Sequence, residues 1–264
     1  MFLELITNGV SYSLFILYIA VMGLPILALL CIPVSYPWVK FAYGLCSKIT
    51  CKFLLFVTFL PVTYQGVESF PEKPVIFIAN HQSSLDILLV GSVIGSRSSV
   101  WLSKSELFEY PVLGQLLNYI GIPVDARANK RTSMGTVEKA VKKLKAGFDV
   151  IIFPEGGRYN DGTIHPFYSG FAAMAKLSGA QVVPLFISGT GQAMAPGQSF
   201  IRRAPLMITV GKPFICEQNE TVQVFKERVH EWFVELNFRR QYLLEHYNLR
   251  ICDATMREKK DTFV

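Results

Sequence analysis

Charged residues are scarce in this sequence. Asp, Glu, Lys and Arg make up 17% of its 264 residues, against roughly 25% in ordinary soluble domains. The shortage is local, because no charged residue lies between Glu4 and Lys40. Cysteine is too sparse and too irregular for a disulfide or zinc framework. The five are Cys31, Cys46, Cys51, Cys216 and Cys252, an odd number with no CxxC pair, which fits reduced packing residues. There is no GxSxG elbow, so the nucleophile of a serine hydrolase has no place to sit. Zinc-finger spacing, an aromatic RNP-like strand and a basic helix run are also missing, which argues against nucleic acid as a partner despite the net charge of +6. No internal repeat is present.

The uncharged N-terminal segment comes next. Val10 to Leu30 is apolar and about long enough to cross a ~30 Å hydrocarbon core as a helix. Pro25 is expected to kink it, and Pro33 and Pro37 to end it. A cleaved signal peptide fits poorly, because Glu4 is the only early charge and no small-x-small site follows. Leu30 before Cys31 likewise excludes a lipoprotein site. Phe41 to Leu60 is a second apolar stretch, with Lys48 and Lys52 four residues apart on one helical face. It reads as an interfacial amphipathic helix with its lysines toward phosphates; a buried helical hairpin is the alternative. The basic balance suits an anionic membrane surface. Residues 1–60 are therefore expected to anchor the protein, with the remainder on the cytoplasmic face of a bacterial inner membrane or an endomembrane.

From Pro61 onward, short β-type runs alternate with helical patterns. Val75–Ala79, Ser99–Leu102, Ile120–Val124, Val150–Phe153, Val182–Ile187 and Leu206–Val210 read as strands. Leu85–Ile94, Val112–Tyr119, Thr132–Phe148 and Phe171–Leu177 read as helices, and Thr221–Asn248 as a long charged one. This alternation predicts an α/β fold for residues 61–250, a mostly parallel mixed sheet flanked by helices, followed by a polar tail over 251–264. Ligands of such sheets bind beyond the carboxyl ends of strands. Polar residues gather at those ends: Asn80-His81 after the first run, Asp125-Ala126-Arg127 after the third, Pro154-Glu155-Gly156-Gly157-Arg158 after the fourth. Each has a plain structural alternative. Ser83 and Asp86 fit an N-cap and its N3 partner, His81 fits a hydrogen-bonded turn, and Glu155 with Arg158 fits a surface ion pair.

Taken together, these stretches resemble the glycerolipid acyltransferases, specifically the 1-acyl-sn-glycerol-3-phosphate (lysophosphatidate) acyltransferases. Asn80 to Asp86 is similar to the NHxxxxD motif, and Phe153-Pro154-Glu155-Gly156-Gly157-Arg158 to FPEGTR. Gly121 to Arg127 sits where the arginine-ending second motif belongs, and Val182-Val183-Pro184-Leu185 where the proline-bearing fourth belongs. The resemblance spans about residues 60 to 215, and the N-terminal apolar pair resembles the family's two-helix membrane element. Gly157 stands where the motif has threonine, and Pro123 and Ala126 make the second motif loose.

The resemblance implies acyl transfer from an acyl thioester to the free hydroxyl of 1-acyl-glycerol-3-phosphate, giving phosphatidic acid. His81 would take the hydroxyl proton, and Asp86 would hold the other ring N–H. Arg127 and Arg158 would grip the phosphate, Glu155 would hold Arg158 or an acceptor hydroxyl, and Gly156 and Gly157 would admit the ligand close to the backbone. Pro184 belongs to the same set, and Lys104 is a further candidate for phosphate or coenzyme A contact or a solvated lysine. Acyl-CoA or an acyl carrier protein thioester would be the co-substrate, with no metal, no bound cofactor and no required protein partner. Two other readings stay open: an acyltransferase for another lysolipid, such as a lyso-ornithine lipid, and a non-catalytic lipid-binding membrane protein.

Overall fold

The computed structural model describes residues 2–30, 32, 37–67, 70–110, 113–125 and 130–247. Arg127 and the tail over 251–264 therefore lie outside the described residues, as does Val112. After α1 (Phe2–Leu30), α2 (Pro37–Phe56) and the short strand β1 (Val62–Gln65), β2 (Ile76–Ala79) and α3 (Leu85–Ile94) build the centre of the fold. There follow β3 (Ser99–Lys104), a 3-10 turn Ser105–Glu109, α4 (Leu113–Ile120), β4 (Gly121–Val124), α5 (Lys130–Lys145) and β5 (Asp149–Ile152). The chain closes with α6 (Gly170–Ser178), β6 (Val182–Ser188), α7 (Thr190–Ala193), β7 (Leu206–Val210) and α8 (Val222–Tyr247).

The seven strands form one sheet in the order β1-β7-β6-β2-β5-β3-β4. All neighbours are parallel except β6 and β7, which run antiparallel. The fold is thus the expected mostly parallel mixed sheet, with β1 added at one edge.

Alternation along β2 explains why the runs looked continuously apolar. Ile76 and Ile78 face one layer with Val137 of α5, Phe171 of α6 and Phe225 of α8. Val75, Phe77 and Ala79 face the other with Leu89 of α3 and Leu55 of α2. A strand covered on both faces has no polar side to display. Five strands, β6, β2, β5, β3 and β4, share one direction, so their carboxyl ends line a single edge, with His81 just past β2, the fourth of the seven strands.

Among the described residues Phe2–Gly23 is long and apolar enough to cross a membrane, overlapping the expected Val10–Leu30, and Pro25 lies inside α1. Pro37 opens α2 instead of closing the helix before it; its missing N–H falls where a helix has no use for one. Helix α2 is also part of the core. A Cβ built at Gly91 of α3 would lie 2.3 Å from Cys51 Sγ, and one at Gly44 would lie 2.1 Å from Ser96 O, so the two glycines let α2 press onto α3. Its other face is exposed and apolar, with Trp38, Phe41, Leu45, Ile49 and Phe56 at helical spacing. Tyr18 joins α1 to α2 by a 2.6 Å bond to Thr50 and a stack on Phe53.

Candidate active site

Strand β2 ends at Ala79, and the chain turns sharply through Asn80 to Ser84 into α3. Asn80, 1% exposed, fixes the turn by a reciprocal pair: its Nδ2 donates to Ile187 O at 2.8 Å, and its Oδ1 accepts from Ile187 N at 2.7 Å. This closes the end of β2 onto β6. Ser83 Oγ adds a bond to Met194 O at 2.6 Å.

The turn brings His81 and Asp86 together. His81 Nδ1 lies 2.7 Å from Asp86 Oδ2, with side-chain exposures of 14% and 0%. The same oxygen accepts the backbone N–H groups of Gln82 at 2.6 Å and Ser83 at 2.8 Å. An oxygen already accepting two N–H bonds is an acceptor toward the ring as well, so the ring proton is on Nδ1 and the Nε2 lone pair is left outward. Nε2 has no partner among the described residues. Phe153 stacks on the imidazole at 4.0 Å between centroids and 15° between planes, which restricts ring rotation.

The expected cap is displaced by one residue. Ser84 is the N-cap of α3 and makes no side-chain cap bond. Its hydroxyl instead accepts from Arg158 Nη1 at 2.6 Å. Asp86 therefore serves both readings at once, steadying the start of α3 through Ser83 N and holding the imidazole.

Strand β5 supplies the second half. Gly156 has φ +68°, in the left-handed region where glycine carries no penalty, and a Cβ there would meet Tyr168 Cε2 at 2.7 Å. Glu155 is 4% exposed and does not pair with Arg158 as expected. Its Oε1 accepts His81 N at 2.9 Å and its Oε2 accepts His165 N at 3.2 Å. Burial pushes its carboxyl up to about 7, against the pull of those two N–H bonds; nearby Asp86 pushes it the same way as burial.

The remaining candidates are distributed unevenly. Arg158 and Gly157 flank the same turn, Arg158 exposed. Lys104 ends β3 on the same sheet edge and is exposed. Pro184 is not brought to that edge. It is buried within β6, paired with Ile78, and packs its ring where a Cβ at Gly211 would come within 2.7 Å. Its work is in the sheet. Among the described residues no three His, Cys, Asp or Glu side chains converge as metal ligands. Sequence reasoning missed Phe153, Ser84 and Asn80 as parts of the site, although all three lie in the two quoted motifs.

Residues 61–188 match the family model described as Acyltransferase. The chain is similar to the acyltransferases over this stretch, just under half of its length. It is 31% identical over 158 residues to a chloroplastic 1-acyl-sn-glycerol-3-phosphate acyltransferase of Brassica napus, covering 59% of this chain and 45% of that protein. A protein of the same name from Cocos nucifera is 28% identical over 204 residues, covering 76% and 66%. The chain spans about half the length of the first of these relatives. The crystal structure of the 1-acyl-sn-glycerophosphate acyltransferase of Thermotoga maritima superposes with a TM-score of 0.73 at 22% identity, covering 88% of this chain and 96% of that one. At that identity the match speaks for the glycerolipid acyltransferase fold.

Proposed function

We propose that the chain moves a fatty acyl group from an acyl thioester to the free hydroxyl of 1-acyl-glycerol-3-phosphate, giving phosphatidic acid. The observation that carries this reading is the His81–Asp86 pair, with Nδ1 committed to a buried carboxylate and Nε2 unpartnered at the strand edge. Relatives named for this activity support it.

The chemistry follows from the residues. The acceptor hydroxyl attacks the thioester carbonyl while His81 Nε2 takes its proton. Asp86 stabilises the imidazolium that forms. As the tetrahedral carbon collapses, the C–S bond breaks and the imidazolium proton goes to the departing thiolate. Histidine is neutral again, the ester is formed and the thiol is free, so no acyl-enzyme is needed. Arg158, with Arg127, holds the acceptor phosphate through forked N–H donors. Ser84 steadies the Arg158 fork at the start of α3.

In this reading residues 1–60 set the domain on a membrane, because the acceptor is a lipid and the thioester arrives from water. The exposed apolar residues of α1 and α2 support this, and the cytoplasmic face follows from the basic residues beyond them. Flotation of the full chain with anionic vesicles checks the placement; a chain that stays wholly in the aqueous fraction without detergent argues against it. Gly157, standing where the motif has threonine, is the feature that keeps a second acceptor class in play, a lysolipid such as a lyso-ornithine lipid. One assay decides: purified protein, labelled acyl-CoA and a panel of lysolipids, with lysophosphatidate expected to give the highest kcat/KM.

A further inference from the structure

A second cluster of polar side chains lies beside the site, in the loop after Arg158, and the chemistry above makes no use of it. Asp161 Oδ1 accepts Thr163 N at 3.0 Å and Thr163 Oγ1 at 2.8 Å. Asp161 Oδ2 lies 2.7 Å from His165 Nε2. The Tyr159 ring stacks on the His165 ring at 3.6 Å and 12°. Both ends of this assembly are tied to the site: Tyr159 N donates to His81 O at 2.9 Å, and His165 N donates to Glu155 Oε2.

The stack delivers the phenol to one place. A Cβ built at Gly157 would lie 3.1 Å from Tyr159 Cε2, Cζ and OH alike. Glycine at 157 thus leaves room for the phenol edge, and the hydroxyl lies in contact distance of where a side chain at 157 would begin. Tyr159 is half-buried, and its hydroxyl has no partner among the described residues. A phenol has two χ angles, and here the ring is fixed by its stack and by its backbone bond, so an O–H donor is held in place at small entropic cost. Arg158, the adjacent residue, presents its guanidinium at the start of α3.

We propose that the Tyr159 hydroxyl is an acceptor-binding group that donates to the phosphate of the lysolipid beside Arg158, in the space that Gly157 leaves open. The Asp161–His165 pair positions it, and Gly157 and Tyr159 act as a complementary couple. This rests on the acyl-transfer reading above. The Asp161 carboxyl is held down to about 2, chiefly by the Thr163 N–H and then by His165, so it stays ionised at neutral pH and keeps that support in place.

Tyr159→Phe keeps the ring, the stack and the backbone bond and removes only the oxygen. It is expected to raise the KM for 1-acyl-glycerol-3-phosphate about tenfold, with the KM for the acyl thioester and the thermal midpoint unchanged. The same variant acting on an acceptor without a phosphate monoester should match the wild type. Tyr159→Ala combined with Gly157→Thr, which returns a hydroxyl to the cleared space, should recover part of the loss seen in Tyr159→Ala alone. An unchanged KM for the phosphate acceptor, or an equal loss on both acceptors, overturns the inference while leaving the acyl-transfer reading intact. A wild-type protein that acylates no lysolipid overturns both.

Discussion

Two histidine–aspartate pairs stand close together in this protein, each 2.7 Å long, and their surroundings are opposite. In the His81–Asp86 pair the carboxylate is fully buried and gathers three N–H groups on one oxygen. In the His165–Asp161 pair the aspartate side chain is 52% exposed and the histidine 29%. Water competes for the second pair, so its electrostatic contribution is small, whereas burial keeps the first strong. The contrast teaches that separation alone does not assign a chemical role. The His81 ring offers a bare Nε2 toward the strand edge, while the His165 ring spends its Nε2 on Asp161 and its face on Tyr159. In the proposed mechanism the first pair moves a proton and the second holds a neighbour still.

The largest test of that contrast is at the buried pair. His81→Ala should lower turnover by roughly 10²–10⁴, the usual contribution of a general base. Asp86→Asn should also be severe, since an amide can present an N–H to Nδ1 and favour the wrong tautomer. The double variant should cost little more than His81→Ala, because the two act as a unit. Steady-state turnover measured beside thermal unfolding checks this; a folded His81→Ala protein with near-full activity would break the proposed mechanism.

Arg158→Ala comes next. Losing a charge-assisted contact worth about 1.5–3 kcal/mol should raise the acceptor KM roughly 10–100-fold, with kcat less affected. Acceptor titrations at saturating thioester read it directly.

Glu155 joins the two pairs, since its two oxygens hold His81 N and His165 N. Its carboxyl is raised from 4.5 to about 7, so the folded state binds the proton more tightly than the unfolded chain. The resulting stabilisation is full below 4.5 and is lost as pH rises through about 7. It amounts to ~3 kcal/mol at most. The thermal midpoint should fall between pH 5 and 8 in the wild type, and Glu155→Gln should flatten that slope. A slope unchanged by the substitution would assign it to other groups.

The smallest effect belongs to the exposed pair. Asp161→Asn should raise the acceptor KM only a few-fold and leave turnover intact, as expected of a support for Tyr159. A loss of kcat comparable to that of Asp86→Asn would erase the distinction between the pairs.

Much of this architecture was legible in the sequence, for a physical reason. Strands such as β2 and β6 are buried on both faces, so they appear as uninterrupted apolar runs, and α3 was bounded correctly at Leu85 and Ile94. Strand β1 was missed because it is a four-residue, half-exposed edge strand whose composition, Val-Thr-Tyr-Gln, alternates weakly. The reversal of β7 was not legible either, since an apolar run carries no mark of its direction. In the site, His81 and Asp86 stood out at a strand end, where a turn and a helix cap explained them equally well, and only the resemblance to NHxxxxD paired them; the structure sets them 2.7 Å apart. The partners of Glu155 were not legible, because they are backbone N–H groups, which any residue supplies and no motif records. Arg158 was taken for a partner of Glu155 on proximity in sequence, and its bond to Ser84 crosses 74 residues.

The position of β1 also bears on how the chain matures. Gln65 meets Thr209 across 144 residues, so the first strand made must wait for the last. At a synthesis rate of about 5–20 residues per second, that interval is roughly seven to thirty seconds. During it α1 and α2 are already complete, with their apolar faces uncovered, while the sheet edge they lead into has no neighbour. The helices therefore find their surroundings before the sheet is whole, and its last zipper closes beside them only when β7 has emerged.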